Sequence, residues 1–257
     1  MSLPLLGGGP GSGSASAFTP ANLSGLIGWW DVSVTASLSL TGSDLNSIAD
    51  QSGGGNTMNW AGFGKPVYSA TGFNSLPAIS FDATNIGNAL EAASFPMGTG
   101  NTLTAFYVGK NPQSGSNHNN PRILSYAKPS NNDWDNVGSW ALSSNPDFVF
   151  TNLAISRNAG GVSPVNATIT NANHVVIATI DSGGVITIYI DGSATTCQTV
   201  SGNWVSSGTF GVGHHAAHNS DANYLTGPMA EWGVATGFTG ATDVGRLNAS
   251  LTSKWGL

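Results

Sequence analysis

The chain has 257 residues, enough for one large domain or two smaller ones, yet only 8% of them are charged and the formal net charge is −6. Soluble domains carry about 25% charged residues, so Gly, Ser, Thr and Asn must build much of this surface. Four Lys and three Arg are scattered along the chain, which leaves no basic patch for a nucleic-acid backbone, and no run approaches the roughly 18 apolar residues of a membrane span.

Cys197 is the single cysteine, so no disulfide within the chain can hold the fold. It reads as a small packed residue rather than a nucleophile. The N-terminus lacks a charged start followed by an apolar core, so no secretory signal is expected and synthesis in a cytoplasm is. Residues 1–22 begin with Leu3, Leu5 and Leu6 and continue as a Gly/Ser/Pro tract. Such a composition cannot bury enough surface to fold alone and reads as a flexible arm, with the three leucines as a candidate anchor on another subunit.

The folded part is expected over 23–257. Leu26, Ile27, Trp29 and Trp30 suit a first buried strand. Residues 38–40 and 45–48 flank a Thr41-Gly42-Ser43-Asp44 turn, and Asp50–Asn56 is a loop. Short strands follow at 58–61, 65–68, 78–81, 89–92, 103–109 and 123–126. Loops rich in Asn, Ser, Asp and Pro fill 111–120 and 128–137, and further strands lie at 140–142, 148–150, 154–157 and 167–170. The runs 174–180 and 185–190, parted by Asp181-Ser182-Gly183-Gly184, predict an antiparallel hairpin with Ile186, Ile188 and Ile190 on one face. Strands at 197–200, 209–213 and 227–234 continue the pattern around a polar loop at 214–224. Val244, Leu247 and Leu251 then share one helical face, with Thr239 as N-cap and Gly256 after the last turn. Many short strands and one helix predict an all-β, two-sheet antiparallel sandwich of jelly-roll type, with a C-terminal α-helix and a flexible N-terminal arm. A barrel is the alternative.

Several stretches together resemble the LamG-like jelly roll of the concanavalin A-like lectin/glucanase superfamily, of the kind found in tailed-phage structural proteins. They are GLIGWWDVS (25–33), IADQSGGGN (48–56), ISFDATNIGNALE (79–91), LTAFYVGK (103–110), HVVIATIDSGGVITIYIDGS (174–193), YLTGPMAEWGVATG (224–237) and LNASLTSKWGL (247–257). The resemblance covers nearly the whole folded part. It implies a sandwich with a ligand surface on its loops or concave sheet, and no catalysis by itself.

Glycoside hydrolysis needs two carboxylates about 5 to 10 Å apart. The only glutamates, Glu91 and Glu231, stand singly in structural motifs, and Asp133 with Asp135 is the remaining candidate pair. The chain therefore reads as a non-enzyme. The loop SNNDWDNVGSW (130–140) is the candidate carbohydrate site. Trp134 and Trp140 supply apolar faces for sugar C–H groups, and Asn131, Asn132, Asp133 and Asp135 supply hydroxyl partners. Trp60 and Trp204 could extend that platform, though packing accounts for each. No cofactor is implied. A calcium loop would use Asn131, Asp133 and Asp135, but Asn136 and Leu142 stand where an EF-hand wants glycine and glutamate. His214, His215, His218 and Asp221 form a loop cluster whose His214–His218 spacing suits zinc only on a helix.

The favoured expectation is a phage virion component, a head decoration, fibre or tail-tip protein made in the host cytoplasm. Its arm would meet other virion subunits, its sandwich a cell-surface glycan, and a symmetric homo-oligomer fits that setting. A free-standing bacterial lectin and a glycoside hydrolase or lyase are the alternatives.

Overall fold

In the computed structural model the described residues are 18–61, 64–82, 88–111, 121–128, 138–144, 152–157, 167–203, 206–214, 216 and 224–257. Strands dominate and every ladder is antiparallel, as the alternating apolar pattern predicts. One layer runs β15 (Ser193–Thr199), β14 (Val185–Ile190), β13 (Asn173–Ile180), β8 (Leu103–Lys110) and β17 (Gly227–Ala235). Beyond β17 lie β1 (Leu26–Asp31), paired with its later half, and β6 (Leu76–Phe81), paired with its start. β6 in turn pairs with β5 (Val67–Phe73). The second layer runs β2 (Leu38–Thr41), β3 (Asp44–Ile48), β4 (Met58–Trp60), β7 (Leu90–Phe95), β16 (Gly208–Val212), β9 (Arg122–Ala127), β10 (Trp140–Ser144), β11 (Asn152–Arg157) and β12 (Ala167–Thr168). The layers join through Asp44 paired with Val67.

The two layers enclose an aromatic core. Trp30 on β1 stacks on Phe210 of β16 at 5.4 Å between centroids, with Trp232, Phe95 and Trp140 close by. The predicted hairpin forms with Ile180 opposite Ile186 and Val176 opposite Ile190, and Ile186 and Ile188 are buried. The Asp181 carboxylate accepts the Val185 amide at 2.8 Å and so closes its turn. Strand β8 is buried from Leu103 to Gly109 because both of its faces are covered. Leu103, Ala105 and Tyr107 face the aromatic core, while Phe106 and Val108 face a second cluster under the helix α1 (Ala241–Trp255).

Helix α1 buries Val244, Leu247, Leu251 and Trp255 against Phe73, Val175 and Ile177, on the outer side of the first layer. Its cap differs from the expectation. Gly240 takes the N-cap position, because the Thr239 hydroxyl lies 3.0 Å from that of Thr104, whose oxygen also accepts the Thr239 amide. At the other end Gly256 adopts φ 65°, the left-handed conformation that ends helices. The Asn74 amide donates to the carbonyls of Trp255 and Gly256 at 3.0 and 3.2 Å. Asn74 and Ser75 form the two-residue hairpin turn between β5 and β6, both with positive φ. That turn extends β5 past the predicted 65–68, and without glycine its geometry carries little sequence signal.

Phe18 packs beside the second cluster with the Arg246 guanidinium 4.7 Å from its ring, and Pro20 and Leu23 are buried. The chain thus joins the domain on the helix side. The anchor candidates Leu3, Leu5 and Leu6 lie outside the described residues, as does the expected strand 148–150. Among the described residues no helix is long and apolar enough to cross a membrane.

Candidate functional site

Three motifs far apart in sequence meet under the helix. Asp31 and Glu231 are cross-strand neighbours on β1 and β17. Lys254 Nζ donates to Asp31 Oδ2 at 2.5 Å and to Glu231 Oε2 at 2.7 Å. The indoles of Trp29 and Trp255 donate to Glu231 Oε1 and Oε2 at 2.7 and 2.6 Å. Burial pushes the Glu231 carboxyl above its ordinary value, and Asp31 adds to the rise while Lys254 opposes it. The two acids are buried and committed to Lys254. They hold the helix to the sheet and present nothing to a substrate.

The Asp50–Asn56 loop is likewise structural. Asp50 accepts the amides of Trp29, Ser52 and Asn56 and the Ser52 hydroxyl, all at 2.8–3.0 Å. Asn56 then donates to the Ile27 carbonyl at 2.6 Å and accepts the Trp30 indole at 3.1 Å. On β13, His174 lies between Asp191, 2.7 Å from Nδ1, and the Thr170 hydroxyl, 2.9 Å from Nε2. The order matches a hydrolytic triad. The same Nε2 is also 3.2 Å from the Thr170 carbonyl, and Asp191 accepts the Val175 amide at 2.9 Å. The set ties the 170–174 segment to the end of β14.

The outer face of the second layer carries Asn59, Glu91, Gly211, Ser125 and Ala141 in one cross-strand row. Its centre is closed by the chain itself. The Ser125 hydroxyl donates to the His214 carbonyl at 2.8 Å and accepts the Ala216 amide at 2.9 Å. A Cβ at Gly211 would lie 3.1 Å from the Ala216 Cα. His214 is buried, parallel to the Tyr224 ring, with Nε2 3.1 Å from Glu91 Oε1. That distance suits an ion pair if the imidazole is protonated, although the two groups are not aligned as a hydrogen bond. Of the histidine cluster read from the sequence, His215, His218 and Asp221 lie outside the described residues. Among the described residues no three His, Cys, Asp or Glu side chains gather as a metal site.

An open surface lies at the end of β4. Trp60, which pairs with Leu90, is 41% exposed. Its indole N–H donates to the Gly64 carbonyl at 2.7 Å, which fixes the ring. Gly64 itself sits against Asn88, where a Cβ would come within 2.1 Å of the amide oxygen, so only glycine allows this approach. Lys65 Nζ stands 5.0 Å from the ring centroid and donates to Asn46 Oδ1 at 2.6 Å. Asn46 Nδ2 then donates to the Thr41 hydroxyl at 3.0 Å. An exposed ring lies beside an ordered line of ammonium, amide and hydroxyl. This is the pairing of apolar face and polar flank that sugars need.

The sequence pointed elsewhere. Asn131, Asn132, Asp133, Trp134 and Asp135, the calcium candidates among them, lie outside the described residues. Trp140 is fully buried and packs 6.0 Å from Phe210, so it serves the core and offers no face to a ligand. Trp60 drew a packing reading because its local pattern, an aromatic in a short strand, is the same as that of a core tryptophan. The glycines at positions 62 and 64 of the sequence were the available signal that the strand ends there.

No protein-family model matches the chain, and no curated protein does. Solved structures share its fold. Domain 4 of AbnA, an extracellular arabinanase of Geobacillus stearothermophilus, in complex with arabinotriose, aligns with a TM-score of 0.60 at 13% identity over 86% of this chain and 96% of that one. The binding domain of botulinum neurotoxin DC, in complex with SialylT, gives 0.59 at 13% over 91% and 52%. Trypanosoma rangeli sialidase gives 0.57 at 13% over 88% of this chain, which spans about a third (33%) of the sialidase. At these identities the likeness is one of fold: the chain is a β-sandwich of the architecture that these glycan-related proteins use.

Proposed function

We propose that the chain is a glycan-binding sandwich, carried as a structural component of a virus particle, with no catalytic role of its own. The exposed Trp60 ring with its Lys65–Asn46–Thr41 flank carries the glycan reading. The neighbours complexed with arabinotriose and SialylT support it at the level of fold. The particle placement rests on the tailed-phage resemblance and on the Gly/Ser-rich arm. The arm meets the domain beside α1, whereas Trp60 stands on the second layer, so an anchored arm would leave the platform unobstructed.

Trp60→Ala is expected to weaken retention on cell-surface polysaccharide roughly tenfold or more, while costing about 1 kcal/mol of stability. Affinity electrophoresis beside a melting curve measures both, and unchanged retention by a folded variant would remove the platform. For the particle role, deleting residues 1–17 should leave the domain folded and abolish its recovery with purified virions by mass spectrometry. Equal recovery with and without the arm would rule out the anchor.

A further inference from the structure

The glycan reading leaves the class of sugar open, and Lys65 narrows it. The chain has a net charge of −6 and only seven Lys and Arg. Two of these are paired with acids: Lys254 with Asp31 and Glu231, Arg246 with Asp243. Lys65 differs. Its ammonium is held by a neutral amide, Asn46, and stands beside the neutral ring of Trp60. Among the described residues no carboxylate is within ion-pair distance of it. An ammonium has three N–H groups. One is used by Asn46, which leaves donors for a ligand lying on the exposed part of the ring.

Resting on that reading, we infer that the Trp60 platform selects carboxylated sugars, with Lys65 binding the sugar carboxylate. A pyranose stacked through its C–H face on Trp60 would bring a ring substituent within reach of an ammonium 5.0 Å from the ring centroid. A charge-assisted bond from Lys65 Nζ to a carboxylate is stronger than one to a hydroxyl. Asn46 fixes the lysine before binding, so less side-chain freedom is lost on contact. Thr41, exposed and bonded to Asn46, remains for hydroxyl groups. Nonulosonic and uronic acids share the required chemistry.

The test is calorimetric titration of the full chain with two matched pairs: sialyllactose against lactose, and a galacturonic acid oligosaccharide against its neutral galactose counterpart. The carboxylated member of at least one pair should bind roughly tenfold more tightly, and that preference should shrink as salt is raised. Preference in one pair alone identifies which acid is the ligand. Lys65→Gln should erase the preference by weakening the carboxylated member far more than the neutral one, and Lys65→Arg should retain most of it. Equal binding within both pairs, or a preference that survives Lys65→Gln in a variant of unchanged melting temperature, overturns the selectivity and leaves the platform standing. Binding of neither member, or wild-type binding by Trp60→Ala, overturns the platform and the selectivity together.

Discussion

Replacing Glu231 by alanine is expected to lower the stability of the fold by about 3–5 kcal/mol, measured as a shift in the urea midpoint. The substitution removes the acceptor of two indole N–H groups and one of the two acids that hold Lys254. Leaving these donors behind without an acceptor costs more than the pair itself contributes. The helix is the element released, since Lys254 and Trp255 both reach Glu231 from its last turn. Amide exchange in 241–255 should therefore rise before that of β8 and β13. A wild-type midpoint in Glu231→Ala would mean that apolar burial alone docks the helix.

The same residue sets a pH dependence. The folded chain holds the Glu231 proton more tightly than the unfolded chain, because burial raises its carboxyl above the ordinary value of 4.5. As pH climbs from 4.5 towards the higher folded value, the unfolded state loses this proton first. The contribution of this group to stability then falls with rising pH. Glu231→Gln should flatten that part of the stability profile even though it is less stable overall. An unchanged slope would assign the dependence to other acids.

Trp30→Ala is expected to cost about 3–5 kcal/mol, through the cavity it leaves between the layers. Trp30 is fully buried and touches both sheets, stacking on Phe210 of the second layer and Trp232 of the first. Phe210→Ala should be similarly costly. The double variant should lose less than the sum, since the two rings share one contact and one void. Strict additivity in chemical denaturation would show that the stack contributes nothing beyond the two burials. The contrast with Trp60→Ala is the useful control, because the same deletion at a half-open ring should cost far less stability.

Much of the architecture could be read from residue order. Alternation at 185–190 predicted the buried face of β14, and the continuous apolar run at 103–109 fits a strand covered on both sides. The spacing of Val244, Leu247 and Leu251 predicted the helix and its buried face. These are local effects: side chains alternate in a strand and recur every 3.6 residues in a helix whatever lies around them. The N-cap assignment failed by one residue because Thr104, 135 residues away, holds the Thr239 hydroxyl.

The candidate site was harder to read for the same reason in reverse. Trp60 and Trp140 each stand in a short strand, and nothing within a few residues tells an exposed tryptophan from a buried one. The outcome depends on where the side chain lies: β4 ends at the rim, while Trp140 of β10 packs into the core beside Phe210. Lys65, Asn46 and Thr41 become one line only because β3 pairs with β2 on one side and meets the start of β5 on the other. Asp31, Glu231 and Lys254 likewise belong to three separate motifs until β1 pairs with β17 and the helix closes over both. By itself the sequence determined the elements, because their periodicity is set by the backbone. Only the tertiary structure decided which tryptophan meets solvent and which acids share a lysine, because burial and charge pairing depend on neighbours distant in the chain.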